Sequence, residues 1–253
     1  MAKVRSADGV GVEFDVVGSG PPVVLVGGAF MDAGSTAGLA AGLAGEFSAV
    51  SYHRRGRGGS GDAPGYAVER EFEDLAAVVG AVGGSARLYG MSSGGVLVLK
   101  AVAAGVPAER VAVYEPPFGA GSPTYAEEQE ARIAAGDREG AVVAFLEVTG
   151  MPAEAVDAVR RGPAWGHLVG MAHTLPYDGR VVGDGSVPDL SAVAVPALVC
   201  HGGASPEALV RGARAAAAAL PDVTVAVLPE QTHQVEEGVL APVLLDFYRG
   251  LTP

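Results

Sequence analysis

The sequence predicts an α/β fold, a parallel sheet covered on both faces by helices, and three observations carry that expectation. Short apolar runs alternate with helical patterns from Val23 to Phe47 and again from Arg87 onward, which calls for parallel strands joined by crossover helices. Val23 to Val26 is continuously apolar, as expected of a strand buried on both faces. From about Phe118 to Asp189 strand signals are missing and only helical periodicity remains. The 253 residues suit one domain carrying an insertion. The expected division is a core of residues 1–117 and 190–253 and a helical cap of residues 118–189.

The elements follow in order. Lys3 to Ser6 and the alternating run Val10 to Val17 form a hairpin across the Asp8-Gly9 turn signal. Gly18 to Pro22 breaks that pattern before the strand Val23 to Val26. Ala37 to Ala44 reads as a helix of small residues and Phe47 to Tyr52 as a strand. Val68 to Val82 is a helix whose acidic first half suits its dipole. Arg87 to Tyr89 is a short strand, followed at once by a helix from Ser93 to Ala104, and Val111 to Tyr114 is a strand. In the insertion, helices are expected over Thr124 to Ala135, Arg138 to Val148, Ala153 to Arg161 and Ala164 to His173. The sheet pattern returns with the strand Ala197 to Cys200, the helix Pro206 to Leu220, the strand Val223 to Leu228 and the helix Val239 to Tyr248.

Composition narrows the partners. A net charge of −12 argues against nucleic acid, whose phosphates need clustered cations. The one dense basic run, Arg54-Arg55-Gly56-Arg57, is more often a structural loop than a phosphate site. Cys200 is the single cysteine, so an internal disulfide is excluded, and its apolar setting suits an inert thiol. No run of about 18 apolar residues exists to span a membrane. The N-terminus lacks an apolar signal core, so a cytoplasmic location is expected. The His, Asp and Glu residues show no metal-ligand spacing, and Gly56-Arg57-Gly58-Gly59 opens no helix as a dinucleotide fingerprint would. No cofactor is expected. The expected partner is a small-molecule substrate, with a homodimer allowed.

The chemistry-bearing motif is Gly90-Met91-Ser92-Ser93-Gly94, placed between a predicted strand and a predicted helix. G-x-S-x-G in that setting lifts the serine hydroxyl above the sheet on a tight turn, beside the free N–H groups and positive end of a helix. The chain here resembles the α/β-hydrolase superfamily over nearly its whole length. Val24-Leu25-Val26-Gly27-Gly28 resembles the family's oxyanion-loop strand, Tyr52 to Ser60 its R-G-x-G-x-S loop, and Gln231-Thr232-His233 the segment that places its histidine. The resemblance implies an eight-stranded, mostly parallel sheet, a cap after the sixth strand, and a site at the carboxyl ends of the strands. By role, Ser92 would attack, His233 would serve as base, and the backbone N–H groups of Ala29 and Ser93 would bind the oxyanion. Gly27 stands where relatives commonly have histidine.

A second departure concerns the acid. Relatives usually carry Asp after the seventh strand, where this chain reads His201-Gly202-Gly203-Ala204-Ser205-Pro206 and Ser205 holds the expected position. Glu115, at the end of the sixth strand, is the first candidate for the missing carboxylate. A Ser92–His233 dyad without an acid, Glu207 and an Asp of the cap are the alternatives. His53 and His201 read as structural, whereas His167 and His173 divide between pocket lining and packing. The aromatic and apolar residues Phe118, Trp165, Met171, Leu175 and Tyr177 are expected to line a hydrophobic substrate pocket. The leading function is a serine hydrolase for a small or medium apolar ester, lactone or thioester. A non-hydrolytic biosynthetic enzyme (lyase, cyclase or isomerase) and a non-catalytic ligand-binding protein are the competing readings. Ser92 at the elbow argues against epoxide hydrolases and dehalogenases, which need a carboxylate there.

Overall fold

The computed structural model describes residues 1–251. β1 (Ala2–Arg5) and β2 (Gly11–Val17) pair antiparallel in the register Val4 to Val12. Gly9 takes φ +89° in the turn between them, and the Asp8 carboxylate accepts from the Val10 N–H at 3.0 Å. The parallel part of the sheet comprises β3 (Pro22–Val26), β4 (Ser48–Tyr52), β5 (Ala86–Met91), β6 (Ala108–Tyr114), β7 (Ala197–Gly202) and β8 (Val223–Leu228). The strand order is β1-β2-β4-β3-β5-β6-β7-β8, with β2 antiparallel to β4 and every later pairing parallel.

The apolar strands divide residue by residue between two cores, as the two-residue period of a strand requires. On one face Val24, Val26, Val50, Leu88, Val111, Val113 and Val199 meet α2 (Val68–Ala81), α3 (Ser93–Ala103) and α9 (Glu207–Ala219). On the other Val23, Leu25, Tyr89, Ala112, Tyr114, Leu198 and Cys200 meet α1 (Ala37–Leu43) and α10 (Glu237–Arg249). Burial in this second core pushes the Cys200 thiol up to about 12.

Between β6 and β7 lie α4 (Tyr125–Ala134), α5 (Arg138–Val148), α6 (Ala153–Arg161), α7 (Trp165–Met171) and α8 (Leu175–Val182), with no strand among them. Ala141, Val142, Leu146, Val156, Ala172 and Leu175 form a separate apolar cluster there. α8 departs from the expectation, which ended helical structure at His173. Pro176 stands in the first turn of α8, where a missing N–H costs the helix nothing.

The basic loop after β4 is structural. Arg54 and Arg55 each grip a carboxylate of α2 with two nitrogens, Arg54 on Glu71 at 2.6 and 2.7 Å and Arg55 on Asp74 at 2.8 Å twice. Arg55 also donates to Asp8 at 3.0 Å, tying the N-terminal hairpin to α2.

Candidate active site

Ser92 sits between β5 and α3 with φ +55° and ψ −126°. Its N–H donates to the Tyr114 carbonyl at 2.9 Å, so the strained turn is held by the end of β6. The flanking glycines follow from crowding. A Cβ on Gly90 would lie 2.5 Å from the Gly94 carbonyl oxygen, and one on Gly94 would lie 2.4 Å from that of Val26. The G-x-S-x-G spacing is therefore the condition under which β3, β5 and α3 can approach one another.

Glu115 directly follows β6. It is fully buried, has φ +46°, and donates its own N–H to the Cys200 carbonyl at 3.0 Å. Its two carboxylate oxygens divide their work. Oε2 pairs with Nδ1 of His233 at 2.7 Å, and Oε1 accepts from the Gly202 N–H at 2.8 Å. Burial alone would raise this carboxyl. The hydrogen bonds from His233 and Gly202 outweigh it and hold Glu115 below its ordinary value. The Ser205 hydroxyl is buried near Glu115 without alignment for a hydrogen bond, and its dipole adds to the same effect. The loop before His233 is anchored by the Tyr114 hydroxyl, which donates to the Thr232 carbonyl at 2.6 Å. Ser92 and His233 both remain partly exposed.

The loop after β3 lies against the nucleophile. Neither the Ala29 N–H nor the Ser93 N–H donates to a protein acceptor among the described residues, and Ser93 opens α3. At Gly27, the position of the missing histidine, Met31 fills the space: its Cβ is 2.7 Å from where a Cβ on Gly27 would stand. Phe30, next after Ala29, has φ +59° and meets Phe145 of α5 edge-to-face at 5.0 Å between centroids.

Beneath that loop lies a buried ionic network that sequence reasoning missed. Asp178 of α8 accepts from Arg54 Nη1, from Arg57 Nη2 and from the Ser93 hydroxyl, each at 2.7 Å. Arg57 Nη1 donates to the Gly28 carbonyl at 2.6 Å and to that of Met31 at 3.0 Å. Burial would raise Asp178 and Glu71, and the guanidinium groups beside them hold both carboxyls below the ordinary range instead. The local signal for α8 was an acidic residue in the first turn after Leu175-Pro176. The partners of Asp178 lie 85 to 124 residues away, beyond any local pattern.

The expected pocket residues scatter. Phe118 is 1% exposed within the core cluster beside α3 and α9, where the chain turns back at Pro116. Tyr177 stacks on Tyr66 at 4.0 Å and donates its hydroxyl to Asp62, so it fastens the insertion to the loop before α2. Met171 is buried, its carbonyl accepting from the Thr174 hydroxyl. Trp165 and Leu168 of α7 pack on the same apolar cluster as Ala29, Phe30 and Phe145, and Leu175 is a buried member of it. Among the other histidines, His53 accepts from the Ala33 N–H, His173 bonds the Gly56 carbonyl, His201 bonds that of Gly202, and His167 lies 4.0 Å from Asp32. Two surface cavities, of about 430 and 420 Å³, include neither Ser92 nor His233 in their walls. Among the described residues no group of His, Cys, Asp and Glu is arranged to hold a metal, and no helix is long and apolar enough to cross a membrane.

The depressed carboxyls fix the acid response. Glu71, Glu115 and Asp178 bind protons less readily folded than unfolded, so the unfolded chain takes up more protons as the pH falls. Their stabilisation is complete above the ordinary carboxylate range, 3.8 to 4.5 for these side chains, and is lost as the pH drops through it and below. Asp74, which burial holds above its ordinary value, opposes the trend singly. Thermal unfolding followed by calorimetry should give a midpoint that declines steadily from about pH 5 downward. A midpoint constant from pH 6 to 3 would contradict the network's ionisation.

Among solved structures, the chain is similar to an α/β hydrolase from Sphaerobacter thermophilus, with 43% identity and a TM-score of 0.90 over 98% of this chain and 100% of that one. An esterase from Thermogutta terrifontis matches at 21% identity and TM-score 0.72, over 100% of this chain and 99% of its own. An enol-lactonase from Burkholderia xenovorans matches at 19% and 0.76, over 98% and 100%. No family model and no curated protein matches the sequence. With 43% identity to the first of these over 98% of this chain and the whole of that one, the chain belongs to the α/β-hydrolase superfamily.

Proposed function

We propose that the chain is a serine hydrolase acting on a small or medium apolar ester, lactone or thioester. The observation that carries this reading is the 2.7 Å bond between Glu115 and Nδ1 of His233. A buried carboxylate on Nδ1 fixes the tautomer that leaves Nε2 free to take a proton, and it stabilises the imidazolium that results. In this reading Ser92 Oγ attacks the acyl carbon while His233 takes its proton. The carbonyl oxygen gains charge between the Ala29 and Ser93 N–H groups, donors worth about 3–4 kcal/mol each at the transition state. His233 then protonates the leaving group, and water repeats the sequence to release the acid.

Glu115 also supplies what Ser205 lacks at the usual acid position, which favours hydrolysis over the non-hydrolytic readings. The apolar residues beside the oxyanion loop, Phe30 and Phe145 with Trp165 and Leu168 of the cap, suit an apolar acyl group. The esterase and the enol-lactonase among the structural neighbours are in keeping with that choice.

The test is reaction with a fluorophosphonate and hydrolysis of p-nitrophenyl esters from acetate to octanoate. Labelling on Ser92 and release of p-nitrophenol are expected, and failure of both would overturn the proposal. Phe145→Ala should raise KM for octanoate by about tenfold and leave acetate nearly unchanged, because it removes apolar contact area and no reacting group. Equal effects on both esters would remove Phe145 from the acyl site.

A further inference from the structure

We propose that Asp178, a residue of the insertion, is a positioning residue for both oxyanion donors. The inference rests on the reading of Ser92 as nucleophile. Its ground is the way the two carboxylate oxygens divide between the donor peptides. Oδ1 accepts from the Ser93 hydroxyl at 2.7 Å, so it holds the residue whose N–H is the first donor. Oδ2 accepts from Arg57 at 2.7 Å, and the other arm of that guanidinium donates to the Gly28 carbonyl at 2.6 Å.

The Gly28 carbonyl and the Ala29 N–H belong to one planar peptide. Fixing the oxygen therefore fixes the direction in which the hydrogen points. A cation on the oxygen also draws electron density from the nitrogen and makes the N–H a better donor. Arg54, which shares Oδ1, donates to the preceding Gly27 carbonyl at 3.3 Å, so consecutive peptides of the loop are gripped from below. All four charged members, Arg54, Arg57, Glu71 and Asp178, are nearly inaccessible to water, and two positive charges face two negative ones. A balanced, dry network of this kind holds its geometry through the reaction, which is the condition for electrostatic stabilisation without reorganisation. Through Asp178, α8 of the insertion thus bears on both donor peptides.

Asp178→Asn would strip the counter-charge from two buried guanidiniums and can prevent folding, so two milder changes carry the test. Ser93→Ala removes one hydroxyl and keeps the donor N–H. Arg57→Lys keeps the charge and loses the fork that spans Asp178 and Gly28. Each variant, shown to be folded by circular dichroism, is assayed for kcat and KM on a p-nitrophenyl ester. Each is also titrated with an alkyl boronic acid, whose tetrahedral adduct with Ser92 places an oxygen where the oxyanion forms. Both variants should lose about 10–100-fold in kcat at nearly constant KM, and boronate affinity should fall by a similar factor. Unchanged kcat and boronate affinity in both would overturn the proposal. A rise in KM with boronate affinity retained would overturn it too, by assigning the network to holding the insertion in place. Absence of fluorophosphonate labelling in the unsubstituted chain would mark failure of the nucleophile reading itself, a result distinct from either.

Discussion

Ser92→Ala should lower the turnover of a p-nitrophenyl ester by about 10⁶-fold and end fluorophosphonate labelling, while the thermal midpoint moves little. The separation of the two effects follows from the local structure. The turn is held by main-chain contacts, the Ser92 N–H on the Tyr114 carbonyl and the Ser92 carbonyl accepting from Gly95 and Val96 at 2.9 and 3.2 Å. Alanine keeps all of these and meets the same backbone strain as serine. What it lacks is the oxygen that would form the bond to the acyl carbon. Labelling that persisted in the alanine variant would place the nucleophile elsewhere, and a midpoint lowered by many degrees would show the hydroxyl to be part of the scaffold.

Glu115→Gln should cost about 10³–10⁴ in kcat with KM nearly unchanged. Glutamine can still accept from the Gly202 N–H through its oxygen. Its amide nitrogen then faces Nδ1 of His233 and, as a donor, drives the ring proton onto Nε2. That is the wrong tautomer for a base, and the imidazolium also loses its counter-charge. Ser205→Asp in the Glu115→Gln background should recover part of the loss, because residue 205 lies beside Glu115 and would return a carboxylate to the histidine loop. Kinetics of the single and double variants decide the matter. Glu115→Gln within tenfold of the unsubstituted enzyme would reduce the centre to Ser92 and His233.

Why some of this was legible in the sequence, and some not, has physical causes. The strand Val23 to Val26 could be read because burial on both faces leaves no place for a polar residue, and the elbow because only glycine fits at 90 and 94. Glu115 was legible as a carboxylate at a strand end, since parallel strands bring their carboxyl ends to one edge of the sheet. α8 was not, because Pro176 breaks or begins a helix according to its position within the turn. The roles of Arg57 and Asp178 depend on contacts across 121 residues, which no local periodicity encodes. The placement of Phe118 and Tyr177 was not legible, because aromatic content does not say which way a ring faces. One turned into the sheet core and the other onto Tyr66.

Four residues other than glycine, Phe30, Ser92, Glu115 and Glu230, have positive φ among the described residues, at 59°, 55°, 46° and 61°. They follow β3, β5, β6 and β8 in turn, at the carboxyl ends of parallel strands. A side chain in this conformation costs about 1–2 kcal/mol that glycine would not. These loops are therefore where evolution for heat tolerance and evolution for turnover part ways. A library screened only for survival on heating should gather glycine at Ser92 and at the exposed Glu230, and keep Phe30 and Glu115, whose packing and buried hydrogen bonds outweigh the strain. The same library screened for product as well should keep Ser92 too, and find its gains elsewhere, on the outer faces of the helices.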